Sequence, residues 1–170
     1  MLPAIFICAV LGGHENIDVG DTEIEGVANS LSPPFLNGTK YTIMSEFGNR
    51  LDPINNKSDF HSGIDLSAPE GTLIVASANG VVSKVVTSDN SLGNHVYIKH
   101  NLNGEIYFSV YAHMKQGSII VHAGEQVQAK QPLGIIGMTG RATGIHCHFM
   151  IYKGSITTEN LVNPKDLVEL

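Results

Sequence analysis

An all-β domain, built mostly from antiparallel strands, is what this sequence predicts, and three observations predict it. The 170 residues include 18 Gly and 7 Pro, a density of turn formers that leaves room for few long helices. From about Lys40 the chain runs as short apolar or alternating segments separated by glycine, the texture of strands and tight turns. Between Gly71 and Tyr152 no stretch sustains a 3.6-residue apolar period for three turns without Gly or Pro, so sheet rather than helix must supply the core.

The segment before that domain has a different character. Leu2 to Leu11 is an apolar run of ten residues, too short to span a bilayer and without the preceding basic residues of a secretory signal. From His14 to Gly38 the charges are Glu15, Asp18, Asp21, Glu23 and Glu25, broken by Ser30, Ser32, Pro33 and Pro34. Residues 1–38 therefore read as an N-terminal arm or linker and residues 39–170 as the domain. Within the arm, Thr22 followed by Glu25 fits a capping box and predicts a short helix from Thr22 to Leu31. Every candidate functional residue lies after Lys40, so a chain beginning near Gly38 should keep its chemistry.

The strand segments follow in order: Thr72 to Ala76, Val81 to Thr87, His95 to His100, Ile106 to His113, Leu133 to Met138 and His146 to Tyr152. In Ile106 to Tyr111, Ile, Phe and Val alternate with Tyr, Ser and Tyr, the period of a half-buried strand. Asn103-Gly104 just before it is a tight-turn dipeptide, which predicts an antiparallel hairpin with the preceding run.

Charge narrows the partners. Lys and Arg number 10 against 16 Asp and Glu, a net charge of −6, and phosphate-backbone binding needs clustered cations. Nucleic acid is excluded on that ground. Two cysteines, Cys8 and Cys147, are too few for a disulfide framework. The conspicuous residue is histidine, with 8 copies, the commonest metal ligand and the proton carrier of neutral pH.

His146-Cys147-His148 lies in a run ending Phe149-Met150-Ile151-Tyr152; residues i and i+2 of a strand share a face, so both imidazoles point one way. The same alternation turns Cys147 to the core, where it acts as a small hydrophobe. His61 and Asp65 flank Ser62 and Gly63, a turning or extended segment that can converge imidazole and carboxylate as half of a zinc site. His148 or His146 could complete it, leaving the open fourth position that catalysis needs. His113 ends Val110-Tyr111-Ala112-His113, where a strand edge presents side chains. His100, before the turn at Asn101 to Gly104, reads as a half-exposed turn residue. His14, His95 and His122 have no partner at meaningful spacing and read as surface or packing residues.

Taken together, these pieces resemble the lysostaphin/LytM-type family of zinc metallopeptidases that cut peptidoglycan cross-bridges. Ser45-Glu46-Phe47-Gly48-Asn49-Arg50 with Pro53 resembles the family's opening segment. Phe60-His61-Ser62-Gly63-Ile64-Asp65-Leu66, followed by Ala68-Pro69-Glu70-Gly71-Thr72, resembles its first metal motif, and Tyr111-Ala112-His113-Met114 its catalytic-histidine motif. Thr139-Gly140-Arg141-Ala142-Thr143-Gly144, then His146-Cys147-His148-Phe149, resembles its H-x-H motif, and Asn163-Pro164 its closing turn. These segments, in order over about Ser45 to Leu167, make the resemblance specific. Departures are small: Ile145 stands where Pro is usual and Cys147 where a larger aliphatic is typical.

The resemblance implies one Zn²⁺ per chain on His61, Asp65 and His148, with His113 and His146 as a non-ligating catalytic pair. It implies a mostly antiparallel β-domain of the duplicated hybrid (barrel-sandwich hybrid) type. It further implies an endopeptidase acting outside the cytoplasm, at the cell wall, on the peptide stems or cross-bridges of peptidoglycan. Two other readings compete. A noncatalytic wall- or partner-binding module of the same fold would be marked by loss of one of those five residues. A biotinyl or lipoyl carrier is suggested by Ala112-His113-Met114-Lys115 and the turn from Gly124 to Gly134, but leaves the His and Asp residues without a role.

Overall fold

The computed structural model describes residues 24, 26, 28–52 and 56–170. Leu2 to Leu11, His14 and Pro53 therefore lie outside the described residues. The strands are β1 (Thr42–Ser45), β2 (Gly48–Leu51), β3 (Ser58–His61), β4 (Ile64–Ser67), β5 (Leu73–Val75), β6 (Gly80–Asp89), β7 (Gly93–Leu102), β8 (Glu105–Met114), β9 (Gln126–Val127), β10 (Pro132–Ile135), β11 (Cys147–Lys153) and β12 (Leu161–Val162). Among the described residues the only helical elements are single 3₁₀ turns at Thr158–Asn160 and Pro164–Asp166. Asn163-Pro164 opens the second, with the Asn163 side chain accepting from Lys165 N.

The main sheet runs β1-β4-β11-β8-β7-β6-β9, with β12 beside β11, and every strand pair in it is antiparallel. Two small sheets, β2 with β3 and β5 with β10, flank it. The path has two free ends, so the fold is open rather than a closed barrel. Its spine is the hairpin of β7 and β8, where Leu102 faces Glu105 across Asn103 and Gly104. Both turn residues have positive φ, 53° and 89°, the primed turn that matches the twist of paired strands.

One face of the sheet makes the core. Cys147, Phe149 and Ile151 of β11, Tyr111 of β8, Val96 and Ile98 of β7, and Ile64 and Leu66 of β4 are fully buried in one apolar cluster. Ile74, Leu133 and Ile136, on and beside the β5–β10 pair, close over it. Cys147 thus points inward as its alternation requires, and burial raises its thiol pKa far above the usual range.

The N-terminal segment contributes to this core from the arm side of the boundary drawn at 38. Leu31 and Phe35 are buried in the cluster, Phe35 at 1% exposure. Ser32 N donates to Ser77 O at 2.9 Å and Val75 N to Pro34 O at 2.9 Å. The Lys130 ammonium donates to the Pro33 and Phe35 carbonyls. The helix predicted for Thr22 to Leu31 does not form at the described positions of that range, where Ala28 instead bridges Leu102. Pro33-Pro34 biases the residues ahead of it to extended backbone, and an extended chain is what seats Leu31 and Phe35 in the cluster.

His100 also differs from its expected half-exposed place: it is fully buried on the core face of β7. Its Nδ1 lies 2.8 Å from Asn79 O and its Nε2 2.7 Å from Ser109 Oγ; Ser109 Oγ lies 2.8 Å from Tyr111 Oη, which accepts from Ser77 N. A carbonyl can only accept, so the ring proton sits on Nδ1 and Ser109 donates to Nε2, which orders the whole chain with neutral histidine. Burial holds the His100 pKa down at about 4. The unfolded chain binds a proton below about pH 6.5 that the folded chain refuses until about pH 4, so stability is complete above 6.5 and falls as pH drops through that window. The expected loss from this one group is about 3 kcal/mol at most. Urea midpoints at pH 7 and pH 5 check it: His100→Asn should show a smaller acid-induced drop than the parent, and an equal drop would remove His100 as the cause.

Candidate active site

Antiparallel register assembles the first half of the site. β4 and β8 both flank β11, with His148 opposite Asp65 on one side and Ala112 on the other. His148 and Asp65 therefore share the face away from the apolar cluster. His61 ends β3 with only Ser62 and Gly63 between it and β4, and Gly63 lets this corner press against β11: a Cβ there would sit 2.5 Å from Phe149 O.

His61 Nε2 lies 3.1 Å from Asp65 Oδ1 and 3.1 Å from His148 Nδ1, and the last two atoms are 2.8 Å apart. His61 Nδ1 is 2.7 Å from Glu46 O, so its ring proton is held there and Nε2 turns a lone pair toward the other two. Three acceptors thus converge with at most one proton among them, an arrangement that a cation satisfies. Burial pushes the Asp65 pKa up, but the two imidazoles beside it, His148 and His61, outweigh that and hold the carboxyl well below the usual range. Burial pushes the His148 pKa down against the opposing pull of Asp65. Two imidazoles and one carboxylate are a catalytic-zinc donor set, whose atoms in a tetrahedral site stand about 3.3 Å apart. The observed separations fit that group.

Arg50, from β2, braces the carboxylate from behind. Its Nη1 donates to Ser45 Oγ at 2.5 Å and lies 3.5 Å from Asp65 Oδ2, while Nε is 3.9 Å from Asp59 Oδ2. This occupies Oδ2 and leaves Oδ1 for the histidines.

His113 and His146 face this group. Strict alternation along β8 would send His113 to the core with Tyr111. Instead Ala112 and His113 oppose the single residue His95 of β7, a bulge between the pairs Val96–Tyr111 and Asn94–Met114. His113 takes φ 60°, a left-handed conformation that costs of order 1 kcal/mol and re-aims the ring. Its Nδ1 donates to Thr139 O at 2.8 Å; burial and the neighbouring His146 push its pKa down to about 4. His146 Nδ1 donates to Gly144 O at 2.8 Å, and its Nε2 is 3.6 Å from Asp65 Oδ1. The two rings stand 4.7 Å apart, centre to centre. With both Nδ1 protons held by carbonyls, both Nε2 atoms are acceptors.

All five residues line one open cleft of about 240 Å³, together with Arg50, Asp52, Asp59 and Arg141. Among the described residues, the group whose donor atoms all lie within 4.8 Å of one another is His61, Asp65 and His148; His146 is outside it. Other histidines lie elsewhere: His95 is buried with Nδ1 3.0 Å from Gly93 O, and His122 is exposed beside Glu125. The bracing by Arg50 and the carbonyl of Thr139 were not legible as such, because both depend on contacts between distant segments. Both residues lie in segments that carried the resemblance, which assigned them no role.

A convergent nitrogen and oxygen donor set in an open cleft, opposed by two imidazole bases, is the chemistry of a metal-dependent hydrolase. The comparisons agree and are more specific: residues 59–164 match peptidase family M23, and the chain belongs to that family. A relative named peptidoglycan DD-endopeptidase ShyC, from Vibrio cholerae, is 41% identical over 101 residues, 59% of this chain and 22% of its own. The catalytic domain of lysostaphin from Staphylococcus simulans has the same fold, with TM-score 0.64 and 26% identity over 76% of this chain and 92% of its own. A zinc-containing peptidase from Vibrio cholerae superposes with TM-score 0.65 and 27% identity, over 79% of this chain and 39% of its own. The matches span between 20% and 49% of the length of the curated relatives.

Proposed function

We propose that this chain is a zinc-dependent endopeptidase that hydrolyses peptide cross-links of bacterial peptidoglycan, acting outside the cytoplasm at the cell wall. The observation that carries the reading is the convergence of three acceptor atoms at 2.8–3.1 Å, faced across the same cleft by two histidines with open Nε2 lone pairs. His61 Nε2, Asp65 Oδ1 and His148 Nδ1 would hold one Zn²⁺. Zinc bound there supplies Lewis acidity, which polarises a scissile carbonyl and acidifies a water.

The remaining chemistry belongs to His113 and His146. Either Nε2 can accept the proton of an attacking water, because each Nδ1 proton is tied to a backbone carbonyl. Once protonated, that Nε2–H can donate to the developing oxyanion or pass the proton to the leaving amine. All five positions of the family motif are filled, which favours an enzyme over a degenerate binding module of the same fold.

Digestion of purified walls of differing cross-link chemistry, with the new amine termini identified, tests this reading. Zinc-loaded protein should release new termini, chelation should abolish the release, and added zinc should restore it. Protein that binds no zinc after reconstitution, or releases no termini from any wall, would end the proposal.

A further inference from the structure

Arg141 is the feature of the cleft that the mechanism leaves unused. Its backbone is tightly held: Arg141 N donates to Ser91 O at 2.8 Å, and Thr139 Oγ1 donates to Met114 O and accepts from Asn94 N. Between them, Gly140 has φ 72° and packs so closely that a Cβ would lie 2.3 Å from Gly93 N. The same loop, two residues earlier, offers the carbonyl that orients His113. The guanidinium is thus placed on a rigid turn in register with the proton carrier.

The side chain is poised rather than satisfied. Nη2 lies 2.5 Å from Oδ2 of Asp52, whose side chain is 5% exposed, while the Arg141 side chain is 47% exposed. One donor is anchored on a buried carboxylate, and a guanidinium has five N–H groups in a planar fork. Arg50, the other cation lining the cleft, is 24% exposed and turned to Ser45, Asp65 and Asp59. Asp59 and Asp65 line the cleft beside Arg50, so the outward N–H groups of Arg141 are the cationic donors of the cleft that an anionic ligand can reach. A planar fork held on a fixed loop matches a carboxylate.

We infer that Arg141 is a specificity-determining residue: it binds a free carboxylate carried on the carbon next to the leaving nitrogen of the scissile amide. This rests on the peptidase reading above and names its substrate class. In a link from D-alanine to an amine of a diamino dicarboxylic acid the leaving nitrogen sits on a carbon that bears such a carboxylate, whereas an internal glycine-bridge amide has none there.

The experiment uses zinc-loaded protein and three synthetic peptides: a D-alanyl link to a diamino dicarboxylic acid with the carboxylate beside the acylated amine free, the same link with that group as its carboxamide, and C-terminally amidated pentaglycine. The free acid should exceed the carboxamide in kcat/KM by about 10- to 100-fold, the size expected for a charge-assisted pair. In Arg141→Gln that ratio should collapse toward one, and Arg141→Lys should keep part of it. A ratio near one in the parent protein overturns the inference. So does an Arg141→Gln protein that slows on both peptides with the ratio intact, since the arginine would then merely tie the loop to Asp52. Calorimetric binding of the leaving product, acid against amide, supplies a readout independent of turnover: Arg141→Gln should lose the preference for the acid, and a retained preference overturns the role. Failure to hydrolyse any of the three peptides would sink the peptidase reading, and the binding comparison would still decide Arg141.

Discussion

His61→Ala and His148→Ala are expected to lose both zinc and activity, whereas His113→Ala and His146→Ala should keep zinc and lose turnover by about 10²-fold or more each. The asymmetry comes from one strand. His146 and His148 project toward the same cleft, but His148 Nδ1 stands 2.8 Å from Asp65 Oδ1 while His146 Nε2 stands 3.6 Å from it and is 4.7 Å, ring to ring, from His113. On the proposed assignment, removing one of the three residues leaves two, too few to retain the metal against a competing chelator. Removing a proton carrier leaves the donor set whole and takes away general acid–base catalysis alone. Zinc content by elemental analysis and cleavage of a cross-link peptide, measured on all four variants, read the two effects separately. A His146→Ala protein without zinc, beside a His148→Ala protein that keeps it, would show the pair assigned backwards.

Legibility in the sequence tracked how local each feature was. The β7–β8 hairpin was readable because Asn103-Gly104 needs only its own two positive φ angles. The inward turn of Cys147 was readable because alternation within one strand decides it. The five residues of the cleft were readable through the resemblance, since their motifs are short and ordered. His113 shows where pattern reading stops: its aim depends on a bulge opposite His95, which is a matter of register between strands. The four short strands between Thr42 and Ser67 were also not legible as strands, because their residues are mixed and, in β1 and β2, largely exposed. Arg50 and Arg141 acquire meaning only beside Asp65 and Asp52, partners on other segments.

The N-terminal boundary carries the second large effect, because residues just before position 39 pack on the core of the domain. Acidic residues and Pro33-Pro34 describe a linker, yet two apolar side chains within it, Leu31 and Phe35, are buried in the main cluster, and Phe35 packs 5.3 Å from Tyr41, ring to ring. Phe35→Ala should cost about 3–5 kcal/mol, the range for emptying a buried aromatic site. A chain beginning at residue 39 loses Leu31 as well, with the bonds to Ser77 and Val75 and the two carbonyls that receive Lys130. That total rivals the 5–15 kcal/mol by which a typical domain is stable, so the shortened chain is expected to lose cooperative unfolding and, with it, zinc and activity. A chain beginning at Ala28 keeps every one of these contacts and should unfold at nearly the parent midpoint. Urea denaturation of both, with zinc content measured alongside, decides the matter: a chain from residue 39 that unfolds cooperatively at the parent midpoint would return residues 28–38 to the role of a dispensable arm.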